Sequence, residues 1–207
     1  MRFSGKGGRL NLEKIMLASG SPRRRELLNR VGIPFDVFVS DADEHCALPA
    51  EQAVVELSRR KALAAAAVYP GRFILAADTL VVLEQQVLGK PSSETDAERM
   101  LSALSGHTHE VCTGVTVISP SGSVYSGADY SFVSFCDIPP HEIHAYAFSG
   151  EPMDKAGAYA MQGRAGMWIT HLSGSESSVI GLPLYLVRDL LLEAGYQFDY
   201  STSVVKE

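Results

Sequence analysis

One stretch limits what this chain can become. Phe73–Leu83 is eleven residues, apolar almost throughout, with Asp78 as its only charge. A run that short and that continuous suits a strand buried on both faces, as in a layered α/β protein. A carboxylate inside it is costly to desolvate alone, so Asp78 must meet a cation, a metal or backbone donors. Strand alternation groups Asp78 with Ala76 and Leu80, and Thr79 with Ala77 and Val81.

The rest of the chain supplies partners for such a strand. Lys14–Ala18 reads as a short strand that breaks at Ser19-Gly20-Ser21-Pro22. A helix follows from Pro22 to about Val31, with Ser21 as N-cap, Pro22 at its first position and Gly32 as its stop. Phe35–Val39 predicts a second strand and Asp41–Pro49 an acidic loop. Ala50–Tyr69, with its alanine run and the Pro70-Gly71 terminator, predicts a long helix. Ser93–Leu104 predicts another, capped by Ser93 with Asp96 three residues on. Glu84–Gly89 reads as a turn. Val111–Ser119 and Ser123–Phe135 read as a hairpin around Pro120-Ser121-Gly122. Pro139-Pro140 opens a short helix to Phe148, Gly157–Leu172 is glycine-rich with strand pieces, and Leu182–Ala194 is a closing helix. Strands and helices mix without strict alternation, so a mixed sheet with helices on both sides is expected.

With 207 residues, 46% of them hydrophobic, the chain can bury a core in one domain or two small lobes. Lys and Arg number 18 against 24 Asp and Glu, a net charge of −6, which argues against a nucleic-acid binder. Cys46, Cys112 and Cys136 are widely separated, so neither a disulfide framework nor a cysteine-rich zinc site is expected, and a cytoplasmic location is. No apolar run reaches the ~20 residues of a membrane span. Residues 1–13 read as a basic, glycine-rich extension rather than a secretory signal, residues 14–199 as the domain, and residues 200–207 as a loose tail.

Several familiar sites are missing. There is no G-x-G-x-x-G, no P-loop and no G-x-S-x-G. His141-Glu142-Ile143-His144 is one residue short of H-E-x-x-H, which leaves its rings about 300° apart around a helix. His107 and His109 read as decorating a turn or a strand start.

Two clusters remain. At Ser19–Arg24 a strand ends and a helix begins, a geometry that aims free backbone N–H groups and the positive end of the helix dipole at one spot. Arg23, Arg24 and Arg25 all fall in that first turn, where the dipole disfavours each by ~0.3–1 kcal/mol. A bound anion would reverse the penalty, and arginine forks match phosphate oxygens. Lys61, Lys90 and Lys155 could join them around a triphosphate; each alone is an ordinary surface lysine, and spacing does not show convergence.

These residues also carry a likeness. Leu17-Ala18-Ser19-Gly20-Ser21-Pro22-Arg23-Arg24 resembles the opening signature of the Maf family, the septum-formation-inhibitor-like proteins. The likeness continues through Lys61, Ala77-Asp78-Thr79, Gly89-Lys90-Pro91, Leu104-Ser105-Gly106, Glu151–Tyr159, Gln162-Gly163 and Gly181-Leu182-Pro183, over about residues 14–195. It implies an α/β fold similar to inosine-triphosphate pyrophosphatases: an elongated two-lobed body with a mixed sheet and a central cleft. It implies a nucleoside-triphosphate pyrophosphatase that uses a divalent cation, Mg²⁺ or Mn²⁺, and commonly forms a homodimer. Thr79 and Gln162 match the subgroup acting on dTTP and UTP rather than the one acting on 7-methyl-GTP. Ala77, Gly89 and Met161 depart from the usual pattern, in which Gly, Glu and Ile stand.

The implied roles follow residue by residue. Ser19, Ser21, Arg23, Arg24 and Lys155 hold phosphates. Lys61 and Lys90 add charge beside Asp78, which is general base, metal ligand or both. Glu44, in the acidic loop after the second strand, is a second metal or base candidate. Thr79 and Gln162 read the pyrimidine edge, since a side-chain amide offers both a donor and an acceptor. Two readings from other classes compete: a non-catalytic nucleotide-binding regulator of cell division, which has no need of a carboxylate beside phosphates, and an RNA-binding module, which the charge disfavours.

Overall fold

The computed structural model of the chain describes residues 13–42 and 45–199. The apolar run becomes strand β3 (Ile74–Leu83), which has strand neighbours on both sides near its two ends and on one side alone along residues 76–80. Its first residues lie between β1 (Ile15–Ala18), parallel to it, and β5 (Thr108–Ile118), antiparallel. Its last residues lie between β5 and the short antiparallel β4 (Gln86–Leu88). Helices cover both of its faces, which is why its sequence shows so little alternation, and the gap between β1 and β4 leaves Asp78, Thr79 and Leu80 beside an open stretch of sheet edge. The sheet continues through β6 (Val124–Phe135) to β7 (Ile169–Ser173) on one side. On the other it ends at β2 (Phe35–Phe38), parallel to β1. The mixed sheet expected from the sequence is what forms, in the order β2-β1-β3-β5-β6-β7 with β4 branching from β3.

Alternation along β1 and β3 divides one end of the body into two packed faces. Ile15, Leu17, Leu75 and Ala77 face α1 (Pro22–Arg30) and α6 (Leu184–Glu193), burying Leu27, Leu28, Val187 and Leu191. Met16, Ala18, Ile74 and Ala76 face α2 (Ala50–Val68), where Ala62 and Ala65 are buried. At the far end, Val81, Val111, Val133 and Phe135 continue the same strands into a second core with α3 (Glu94–Leu104), α4 (Pro140–Ala147) and Trp168. The long strands therefore run through two lobes, and Asp78 and Thr79 sit where one core hands over to the other.

Helix α2 rests unusually close to β5. A Cβ on Gly114 would lie 2.3 Å from the Val54 carbonyl carbon and oxygen, so only glycine allows this approach. The Ser58 hydroxyl, 2.8 Å from Thr116 Oγ1 on β5, adds a polar tie.

Other expectations needed adjusting. Ser21 is the N-cap residue of α1, but its side chain makes no capping bond; its N–H instead donates to Ser19 Oγ at 3.2 Å. Ser93 does cap α3, accepting from the Asp96 N–H at 3.1 Å, while the Asp96 carboxylate reaches back to the Ser92 N–H. The presumed turn after β3 contains β4. Its two hinge residues, Glu84 and Gln85, adopt φ of 48° and 71°, a reversal normally announced by Asn or Gly, which is why the hairpin was not legible. β5 begins at Thr108, so His109 stands at a strand start, one of the two expected places, and it is buried there. Residues 151–168 form three 3-10 turns rather than strand pieces, and only then β7. A short helix α5 (Glu176–Ile180), capped by Ser175, precedes α6, and Pro183 is the N-cap of α6 rather than part of its first turn.

Because α2 carries Lys61, its seat on β5 bears on the site as well as on stability. Gly114→Ala should push the helix outward and lower stability by about 1–3 kcal/mol, the range for overpacking a dense contact. Denaturant unfolding monitored by circular dichroism measures this.

Candidate active site

The two lobes meet over a cavity of about 560 Å³, a size that suits a small-molecule ligand. Ser19, Ser21, Arg23, Arg24, Lys61, Asp78, Thr79, Lys90, Lys155 and Gln162 all line it. These residues span most of the chain and come from the end of β1, from α1, α2 and β3, from the loop after β4, and from the segment of 3-10 turns. Glu44 lies outside the described residues.

At its centre, Lys61 Nζ donates to Asp78 Oδ1 at 2.5 Å, with both side chains about one-eighth exposed. The strand's lone charge thus pairs with a cation from α2, on the sheet face that alternation assigned to Ala76. A buried pair of this kind adds little net stability, but removing one partner costs about 3–5 kcal/mol.

The three arginines of α1 separate into distinct jobs. Arg24 is drawn into the protein: its Nε donates to the Gly181 carbonyl at 2.7 Å, Nη1 to Ser19 Oγ at 3.1 Å and Nη2 to Thr79 Oγ1 at 3.2 Å. Gly181, at φ 117°, lets the chain pass this close, since a Cβ there would lie 3.2 Å from Thr79 Oγ1. Arg25 turns away to the Gly20 carbonyl. Arg23 reaches across to the other lobe, where Nη1 meets Asp154 Oδ2 at 3.3 Å.

Asp154 belongs to the Glu151–Tyr159 motif. It also accepts from Lys155 Nζ at 2.5 Å, so one carboxylate gathers two cations that line the cavity. Burial pushes its carboxyl up, but the Lys155 ammonium and the Arg23 guanidinium outweigh this and hold it below its ordinary value. Lys155 also donates to the Glu151 carbonyl. Lys90 is set by the loop after β4, which is tied to the 3-10 segment by the Gly157 N–H donating to the Gly89 carbonyl at 3.1 Å. Gly157 must be glycine twice over: its φ is 69°, and a Cβ would press on Val81 at 3.0 Å. The lining thus holds five cationic side chains and, among the described residues, two carboxylates.

Metal binding can be tested against this donor set. Among the described residues no three His, Cys, Asp or Glu side chains gather as a metal cage. Of the two carboxylates in the lining, Asp154 is taken up by Arg23 and Lys155, and Asp78, with Lys61 on one oxygen, is the better placed hard donor. That fits Mg²⁺ or Mn²⁺ held by one carboxylate and completed by substrate phosphates, the usual arrangement for Mg²⁺. The cysteines take no part: all three are free thiols, and burial, with Glu110 adding to it, pushes the Cys112 thiol far up.

This arrangement agrees with what comparison with known proteins finds. The family model of the Maf-like protein matches residues 14–194. The chain belongs to that family. A dTTP/UTP pyrophosphatase of Symbiobacterium thermophilum is 45% identical over 188 residues, 89% of this chain and 96% of that protein. A dTTP/UTP pyrophosphatase of Bacillus cereus is 44% identical, over 87% of this chain and 90% of its own. Among solved structures, the Ham1 protein of Staphylococcus aureus superposes with a TM-score of 0.54 over 87% of this chain and 99% of that one, at 14% identity. That likeness concerns the fold, and it agrees with the two-lobed α/β body. None of the helices formed by the described residues is long and apolar enough to cross a membrane.

The Maf cavity has one wall that sequence reasoning passed over. Tyr159 lines it, and its hydroxyl lies 2.9 Å from Nε2 of His109, which is 1% exposed. Both rings pack edge-on against Phe135. Burial holds His109 down to about 4, from an ordinary 6.5, so it is neutral at physiological pH. The unfolded chain takes up its proton near 6.5 and the native chain only near 4. Stability should therefore be flat above pH 6.5 and fall by on the order of 3 kcal/mol as pH drops to about 4. His109→Phe should lose this component, so its stability difference from the parent should shift across that window in urea unfolding.

Proposed function

We propose that this Maf-like protein hydrolyses nucleoside triphosphates, dTTP and UTP before others, to the monophosphate and pyrophosphate. The observation that carries this reading is the convergence of Arg23, Arg24, Lys61, Lys90 and Lys155 around Asp78 in one cavity. An acidic protein has no structural reason to concentrate cations there, and the site's charge and size suit one triphosphate. The names of its relatives support the same substrates.

The chemistry follows from charge. Water attacks the α-phosphorus, the bond from the α-phosphorus to the bridging oxygen breaks, and pyrophosphate leaves with that oxygen. Such transfers depend mostly on positioning and on neutralising the charge of the phosphate oxygens. Arg23 and Lys155, already gathered by Asp154 at the meeting of the lobes, supply part of that charge. Lys61 and Lys90 supply more from the other walls. Ser19 and Ser21 border the phosphate end at the start of α1, where the helix dipole favours an anion. Asp78, oriented by Lys61, accepts the proton of the attacking water or holds the divalent ion. When bound, that ion screens phosphate charge and orients the triphosphate. Gln162 offers an amide, donor and acceptor together, to a uracil-like ring. Thr79 Oγ1 accepts from Arg24 Nη2 at 3.2 Å and so borders the same wall.

The decisive measurement is pyrophosphate release from a panel of dTTP, UTP and 7-methyl-GTP with Mg²⁺. Turnover of dTTP and UTP well above 7-methyl-GTP is expected. Release from none of the three would overturn the enzymatic reading, and binding without release would favour a regulator. Chelating the divalent ion should stop turnover, and adding Mg²⁺ back should restore it. Asp78→Asn keeps an oxygen acceptor for Lys61 and so should fold; it should lower kcat by about 10²–10⁴-fold with little change in KM.

A further inference from the structure

The hydroxyl of Thr113 on β5 is fully buried and donates to the Ser178 carbonyl at 2.9 Å. A threonine hydroxyl has one proton, and a carbonyl has none to return. Thr113 Oγ1 also lies 3.0 Å from Thr79 Oγ1. The proton between the two hydroxyls is therefore that of Thr79. Since Thr79 gives its proton to Thr113, it faces Arg24 as an acceptor, and Arg24 Nη2 donates to it at 3.2 Å. The bonds run in one direction only: Arg24 to Thr79, Thr79 to Thr113, Thr113 to the Ser178 carbonyl.

This chain ends where the other branch of the guanidinium ends. Arg24 Nε donates directly to the Gly181 carbonyl, three residues beyond Ser178 at the end of α5. Two branches of one planar fork are thus tied to the same short helix, one directly and one through two hydroxyls. Thr79 is left with one lone pair for any further partner and no proton to offer a ligand.

We propose that Thr113 is a positioning residue for Arg24. By accepting the Thr79 proton it sets the direction of the hydroxyl chain, so that Thr79 presents a lone pair to Nη2 and holds the fork at the cavity wall. This rests on the reading of Arg24 as a phosphate ligand for its consequence in catalysis, though not for its geometry. Thr79 then contributes to this site through its hold on Arg24, whatever its remaining lone pair accepts.

Thr113→Val keeps the shape and removes the hydroxyl, and the Ser178 carbonyl retains the Gly181 N–H as a donor. Thr113→Ser keeps the hydroxyl. With the valine, KM for dTTP should rise about tenfold while kcat changes much less, the pattern for loss of a contact made equally in ground and transition states. The Kd for inorganic tripolyphosphate, read by calorimetry, should rise similarly. Thr113→Ser should restore both to within about threefold, and Thr113→Ala takes the place of the valine if that variant does not fold. A purely packed threonine would show the opposite order, with valine tolerated and serine, which lacks the methyl, impaired. Guanidinium NMR of the protein alone gives a readout independent of activity: Arg24 side-chain exchange should be slow in the parent and in Thr113→Ser, and faster in Thr113→Val. Equal Arg24 exchange in all three proteins would overturn the proposal. An ordered Arg24 that loosens in the valine variant, in a protein that releases no pyrophosphate, would keep the positioning and sink only the enzymatic reading.

Discussion

A carboxylate in the middle of an apolar strand covered on both faces has to be answered, and here Lys61 answers it. The pair couples α2 to β3 at the point where the two cores meet. Everything around it serves that meeting. Gly114 lets α2 lie against β5, the alanines on α2 let it lie against β3, and the ammonium then reaches the carboxylate. Apolar residues of similar volume would pack as well or better, since buried ion pairs seldom repay their desolvation. Keeping a charged pair at the cavity centre is a cost in stability that chemistry, rather than folding, accounts for.

The arginine row shows how one helical turn can serve several ends. Three adjacent cations at a helix N-terminus oppose the dipole, and the structure separates them instead of stacking them on one anion. Arg25 turns back to the Gly20 carbonyl, Arg24 ties α1 to β3 and to the end of α5, and Arg23 spans to the other lobe. Asp154, holding Arg23 and Lys155 together, occupies a position relative to those cations that phosphate oxygens would also favour. The lobes are thus joined across the cavity by charge as well as by the strands that run through both.

Much of this was legible in the chain. The apolar run, the capped helices and the glycine stops follow from local chemistry, and most elements fall within a few residues of expectation. What escaped has identifiable causes. β4 hides behind a reversal made by Glu84 and Gln85, residues that give no turn signal. The 3-10 turns of residues 151–168 depend on contacts with distant residues: Gly157 is shaped by Val81 and Gly89, and the Arg164 N–H is held by the Glu151 carboxylate. His109 passes for a strand-start polar residue until Phe135 and Tyr159 close over it.

By itself the sequence determined a buried central strand with one charge, a cation-rich helix start, and a string of motifs shared with Maf-like proteins. Those are local properties, set by residue chemistry and spacing along the chain. Only the tertiary structure decided that Lys61 is the partner of Asp78, that the three arginines diverge, that Asp154 lines the cavity, and that Thr113 lies behind Thr79. Those depend on contacts between residues from 5 to 157 positions apart. Packing of two cores along shared strands fixes such contacts, and no local pattern encodes them.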